Sequence, residues 1–275
     1  MDSLQERAIA AEESGDSTLA FELWGNLAKT DTESVASLKY GALAIQLEKW
    51  DVAEGALMEA SRRHPRASIV MVLLGKLWAH RTDQDRTQSL QIAKQWYVKA
   101  LERKRIAPFL TLLGAVCVRL DQIPEAKAAF EEAIAIDPEY DEAMYNLAVL
   151  EEKNDPLRCI ALLTRAVEID PDYLIAHQML GRKLQKQGDL KDAEFHFRRC
   201  LEIDPDEYWS NLYLANLLGV LGRNEEAEKA YRHAIALEPE LEGGLRFFAN
   251  FLKSIGKNTE AAALRSKAIL TTAHN

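Results

Sequence analysis

The sequence predicts an all-α protein assembled from repeated helix pairs, and three observations carry that prediction. Only eight prolines and thirteen glycines occur in 275 residues, while Ala, Leu and Glu are abundant, so backbone propensity favours helix nearly throughout. Apolar residues recur at helical spacing, and no run of alternating β-branched residues bounded by turn dipeptides appears. Pro138, Pro171, Pro205 and Pro239 each follow an apolar run and an acid, in "IAIDP", "VEIDP", "LEIDP" and "IALEP", at spacings of 33, 34 and 34. A proline cannot continue a helix and biases the residue before it away from helical geometry, so each marks a helix end and a reset. A period of this length signals stacked helix-turn-helix units rather than one globular core.

The first helix of each unit carries a small residue: Ala8, Gly41, Gly75, Gly114, Ala148, Gly181, Ala215 and Ala249. From the second unit on, a large apolar residue precedes it: Tyr40, Leu74, Leu113, Leu147, Leu180, Leu214 and Phe248. A small residue beside a large one lets two helices approach while the large side chain fills the adjoining groove. Short turns follow, as at Gly15-Asp16, Asn154-Asp155, Gly188-Asp189, Gly222-Arg223 and Gly256-Lys257. The second helix opens on another small residue: Ala20, Ala53, Ala93, Ala126, Cys159, Ala193, Ala227 or Ala261. Four positions on stands a bulky one, Trp24, Leu57, Tyr97, Phe130, Leu163, Phe197 or Tyr231, except in the last unit, where Arg265 takes the place. Three further on come Leu27, Ala60, Ala100, Ala133, Ala166, Cys200, Ala234 and Ala268, and steps of four and three keep all these residues on one helical face. The recurring aromatics therefore read as interlocking core, not as a cofactor box.

The small-large-small spacing, the Gly-Asp turn and the closing Asp-Pro together resemble the tetratricopeptide repeat over essentially the whole chain. Eight units follow, approximately 1–33, 34–67, 68–106, 107–140, 141–173, 174–207, 208–241 and 242–275, with starts near Met1, Ser34, Ser68, Ala107, Asp141, Leu174, Tyr208 and Glu242. The third carries an extra polar stretch, "HRTDQDRTQS" at 80–89, and the fifth is one residue short. The last lacks a closing proline and has Arg265 in the bulky position, as expected where no further repeat stacks. The resemblance implies a single domain over 1–275, a right-handed superhelical α-solenoid whose first helices line a concave face where ligand peptides of the family usually lie.

Composition and motif spacing narrow the function. A formal charge of −9 and a pI near 5.3 disfavour nucleic acid as the main partner, since neutralising phosphates needs a basic surface. Three cysteines without paired spacing fit a reducing compartment. The N-terminal "MDSLQERAIAAEESGD" has the form of neither a signal peptide nor a membrane anchor, and no later stretch reaches the length of a membrane span. The expectation is a cytoplasmic protein with no membrane partner. The acids Asp137, Glu139, Asp141 and Glu142 do not form a calcium loop: counting from Asp137, the sixth residue is Glu142 instead of glycine and the twelfth Ala148 instead of glutamate. They read as caps and dipole partners of the next helix.

Cys117, Cys159 and Cys200 read as buried thiols. His64, His80, His177, His196, His233 and His274 share no spacing; His177, on a first helix, reads as a surface residue. No metal motif, nucleophile elbow or phosphate loop occurs, so no cofactor and no catalysis are expected.

By helical spacing, the residues placed to face the concave groove divide into three sets. The first unit offers an acidic end: Asp2, Gln5, Glu6, Ile9, Glu12 and Glu13. Units two to four offer a largely apolar stretch that includes Val35, Leu38, Ile69, Val72, Thr111 and Leu112. Units five to eight offer Tyr145, Asn146, Gln178, Arg182, Lys186, Trp209, Tyr213, Asn216, Arg246 and Asn250, with Phe247 and Lys253 beside them. Aromatics, amides and cations so interleaved suit peptide backbone, carboxylates and apolar side chains. The expected partner is a protein or peptide, acidic or bearing a free C-terminal carboxylate. The lysine and asparagine set of members that grip chaperone C-termini cannot be assembled here, and of the asparagine ladder of the sugar-transferase members only Asn146 fits. The function these features imply is a non-enzymatic interaction scaffold or adaptor. The alternative is a regulatory or substrate-presenting subunit of an enzyme on another chain; RNA binding is disfavoured by the charge.

Overall fold

The structure, a computed structural model, describes residues 3–30 and 35–273. The expectations attached to Met1, Asp2, Ser34 and His274 lie outside the described residues. Among the described residues there are sixteen helices and no strand, and the fold is an all-α solenoid of consecutive helix hairpins. The chain divides into two compact units, Met1–Leu147 and Ala148–Asn275.

In the first unit, α1 (Leu4–Glu13) pairs with α2 (Ser17–Ala28), α3 (Val35–Gln46) with α4 (Trp50–Arg63), α5 (Ser68–His80) with α6 (Arg86–Arg103), and α7 (Ala107–Arg119) with α8 (Ile123–Ile136). The unit boundary falls inside α9 (Asp141–Glu151). The second unit continues with α10 (Pro156–Ile169) and the pairs α11 (Leu174–Gln187) with α12 (Leu190–Ile203), α13 (Tyr208–Val220) with α14 (Asn224–Leu237), and α15 (Glu242–Ser254) with α16 (Asn258–Ala273).

Helix starts follow from short polar side chains in the connections. Ser3 and Glu6 form a reciprocal capping box, and Asp16, Asp85 and Asp155 accept the amides of Leu19, Gln88 and Arg158 at 2.8–3.0 Å. At the proline seam, Asp137 accepts the amide of Glu139 at 3.1 Å, and Asp141 and Glu142 occupy the first turn of α9, where a negative charge favours the helix dipole. Six of the eight hairpin turns contain one left-handed residue among the described residues. Glycine supplies it at Gly188 (φ 96°), whereas Glu48 (φ 56°) and Asp121 (φ 59°) adopt it with a side chain, at about 1–2 kcal/mol each.

The two registers read from sequence meet inside each hairpin. The small residue of the first helix lies under the bulky residue of the second: a Cβ on Gly114 would stand 2.5 Å from Phe130, and one on Gly181 2.7 Å from Phe197. Tyr97, Phe130, Phe197 and Tyr231 are buried almost completely, as are Cys117, Cys159 and Cys200. Burial pushes the thiols of Cys159 and Cys200 up to about 11, so all three behave as small apolar residues.

The polar stretch of the third hairpin is not a free loop. Residues from Arg86 onward lengthen α6 to 18 residues, and the connection turns back on α4. Arg81, buried although charged, donates from Nη2 to Asp51 and from Nη1 to Glu54 on α4, each at 2.8 Å, and from Nε to Asp83 at 2.7 Å. Its guanidinium also lies 5.1 Å from the centre of the Trp78 ring. The Asp83 hydrogen bond, against the opposing effect of burial, raises Arg81 above the usual arginine value and depresses Asp83.

Candidate functional site

Three first helices of the second unit, α11, α13 and α15, lie side by side, and helical spacing places the polar and aromatic residues of each on a shared face. On α13, Trp209 and Tyr213 are one turn apart and stack with ring centres 6.1 Å apart and planes 25° from parallel. Trp209 is 39% exposed, its far edge next to Gly243, and Phe247 on α15 is 41% exposed. From α11, the Arg182 guanidinium lies 5.1 Å from the centre of the Tyr213 ring, so a cation and two aromatic rings form a continuous stack. The base of that stack is rigid, because Tyr213 also packs 5.7 Å from the buried Phe197 ring.

Amides tie the helices together. Gln178 Nε2 donates to Glu207 at 3.0 Å and to Ser210 at 3.2 Å, and Gln185 Nε2 donates to Asn216 at 2.9 Å. Asn216 also hydrogen-bonds the phenol of Tyr231, whose burial pushes it up to about 12. On α15, Arg246 pairs with Glu242 at 2.8 Å, and Asn250 accepts from Arg265 of α16 at 2.9 Å. Lys183 holds Glu152 in an ion pair that keeps its carboxyl below the ordinary range. Three acids near the face are therefore engaged, Glu152, Glu207 and Glu242. Arg182, Lys186 and Lys253 make no direct ion pair among the described residues, although Arg182 adds to the field that lowers Glu152, and the face is net positive on a net negative protein.

Of the ten residues that sequence reasoning assigned to a groove, Arg182, Tyr213 and Trp209 form one stack across α11 and α13, while Gln178 and Asn216 take part in separate hydrogen bonds between the same two helices. Arg246 and Asn250 occupy α15, and Lys186 is an exposed residue at the end of α11. Tyr145 and Asn146 belong to the first unit, both half-buried, with Asn146 Nδ2 donating to the Glu142 carbonyl at 2.8 Å. In units two to four, Val35 and Ile69 are exposed while Val72 and Thr111 are buried, the Thr111 hydroxyl donating to the Ala107 carbonyl at 3.0 Å; these two are core.

His177 is not a surface residue: it is 4% exposed, because the α11 face that carries it packs on α12. Its Nδ1 lies 2.8 Å from Nδ1 of His196 and its Nε2 3.0 Å from the Pro171 carbonyl. A carbonyl only accepts, so Nε2 of His177 carries its proton, and Nδ1 of His177 accepts the proton of His196. Sequence reasoning missed this pair and Gln185. The signal for Gln185 was present: Gln185 and Asn216 are 31 residues apart, the same offset as Lys183 and Glu152, which joins one first helix to the preceding hairpin.

Tetratricopeptide repeat models match residues 117–173, 152–213 and 184–242. No curated protein matches the sequence. Among solved structures, PilF of Pseudomonas aeruginosa is similar over 81% of this chain and 97% of its own, at 16% identity and a TM-score of 0.68. YrrB, described as a TPR protein with an unusual peptide-binding site, is similar over 69% of this chain and 96% of its own, at 24% identity and a TM-score of 0.54. MamA from Desulfovibrio magneticus RS-1 is similar over 62% and 96%, at 16% identity and a TM-score of 0.56. At these identities the likeness is one of fold.

Proposed function

Because the chain belongs to the tetratricopeptide repeat family, we propose that it is a non-enzymatic scaffold or adaptor. In this reading the face of α11, α13 and α15 holds an extended or helical segment of another protein, acidic in character or ending in a free carboxylate. The observation that carries it is the Arg182, Tyr213 and Trp209 stack, which combines an exposed aromatic surface with a guanidinium that makes no ion-pair contact among the described residues. Solvated helix surface rarely spends large aromatics in this way, whereas aromatics and arginines dominate the energetics of protein interfaces. Peptide binding by YrrB supports the same use of the fold. Since the face is fixed by amide pairs and by the buried Phe197 ring, the scaffold itself orders little on binding, and affinity comes from many modest contacts.

A peptide-array screen against the protein identifies the segment, and calorimetry then compares wild type with the double variant Arg182→Glu, Arg246→Glu. The expected result is a loss of tenfold or more in affinity, about 1.4 kcal/mol, with helicity and melting nearly unchanged. Equal affinity in the two proteins would remove the assignment of this face.

A further inference from the structure

In the last hairpin a recess of about 290 Å³ opens between α15 and α16, lined by Arg246, Asn250, Arg265 and Ile269. Arg265 stands where the other seven hairpins place a bulky apolar or aromatic residue. Its Nη2 donates to Asn250 at 2.9 Å, which turns the guanidinium across to α15, and it has no carboxylate partner among the described residues. Arg246, one turn before Asn250, binds Glu242 through Nε, leaving its terminal nitrogens for another acceptor. Two guanidinium forks therefore share one small recess, and only one of the two is paired with an acid.

We propose that this recess is a site for a phosphate monoester, carried as a phosphorylated side chain on the segment held by α11, α13 and α15; the proposal rests on that docking reading. A single carboxylate is satisfied by one guanidinium fork, whereas a doubly charged tetrahedral group offers oxygens to two. The volume falls just under the roughly 300–1,000 Å³ of sites that enclose whole small molecules, so one side-chain group fits where a cofactor does not. Asn250 contributes its amide NH₂ as a neutral donor, while its carbonyl oxygen holds Arg265 in place.

The test titrates the full chain at pH 7.5 with O-phospho-L-serine, inorganic phosphate and acetate, following backbone amide shifts by NMR. Saturable shifts at Arg246, Asn250 and Arg265 are expected with phosphoserine, weakened at least tenfold in Arg265→Leu, a variant that restores the residue type of the other hairpins and so keeps the packing. Binding should also weaken as the pH falls through about 6, where the dianion takes up a proton. Unchanged binding in Arg265→Leu, or acetate binding as tightly as phosphoserine, would overturn the site. Tighter binding of inorganic phosphate would overturn the ester in favour of the free ion. If no segment binds the α11–α15 face while phosphoserine still binds, the docking reading falls, and with it the assignment of the ester to a segment, while the recess stands as an anion site.

Discussion

The ring of Phe130 rests directly on the backbone of Gly114, so close that a methyl group on that glycine would stand 2.5 Å from Cε1. Phe130 is 1% exposed and has no room to retreat. Gly114→Ala should therefore destabilise the first unit by about 1–3 kcal/mol, the usual cost of overpacking a filled core. Urea unfolding followed by circular dichroism checks it. An alanine variant as stable as wild type would mean that the two helices separate at little cost.

Arg81 anchors the connection of the third hairpin to the second. Its partners Asp51, Glu54 and Asp83 remain partly solvated, so removing the arginine leaves acids that water can serve. For Arg81→Met the expected loss is about 1–2 kcal/mol, less than for a pair sealed inside a core. Arg81→Lys should recover little of it, because one ammonium cannot reproduce a fork spread over three carboxylates. Both comparisons are read from denaturation midpoints.

The buried His177 and the partly buried His196 make the second unit sensitive to acid. Burial lowers His177, and burial reinforced by His177 pushes His196 down to about 4. A base whose folded value is depressed takes up its proton more readily when unfolded, so the unfolded chain gains protons first as the pH falls. The contribution is complete above about pH 6.5 and declines between 6.5 and about 4. At pH 5 the loss attributable to His196, which is partly exposed, should be about 1 kcal/mol. His196→Asn should flatten that part of the profile relative to wild type, as measured by urea midpoints at pH 7.5 and 5.0. Parallel profiles would show that the pair does not titrate with unfolding.

Trp209 is the aromatic on the α13 face that combines exposure with a stacked neighbour. Trp209→Ala should weaken a bound segment at least tenfold, about 1.4 kcal/mol, while shifting the unfolding midpoint by less than that. Calorimetry against a segment from the array gives the first quantity and chemical denaturation the second.

Much of the fold was legible because repetition turns weak signals into strong ones. No single alanine or leucine identifies a hairpin, yet Gly114 beside Phe130 and Gly181 beside Phe197 recur in the same register, and the structure joins each pair. The chain-reversal prolines were equally plain, since proline acts on the backbone regardless of tertiary context. Other features depend on which elements meet in space. Arg81 looked like part of a polar insertion, and only the return of that connection to α4 gives it acids to bury against. His177 and His196 are 19 residues apart with no motif linking them, and they meet because their helices pair. On the candidate face, helical spacing set Trp209, Tyr213 and Arg182 on one side, where the three side chains touch, but the same spacing could not separate Thr111, which is core, from an outward residue one turn away.

Phe197 seals its own hairpin against Gly181 and, 5.7 Å away, backs Tyr213 of the next. The repeats are thus interchangeable as shapes but not as energies. A hairpin lifted out with its sequence intact would lose the neighbour that half of that ring was built to meet, and a foreign hairpin set beside it would have to offer an aromatic at the same height. Such shared side chains couple one hairpin to the next and lend a stack of short modules the cooperativity of a longer element.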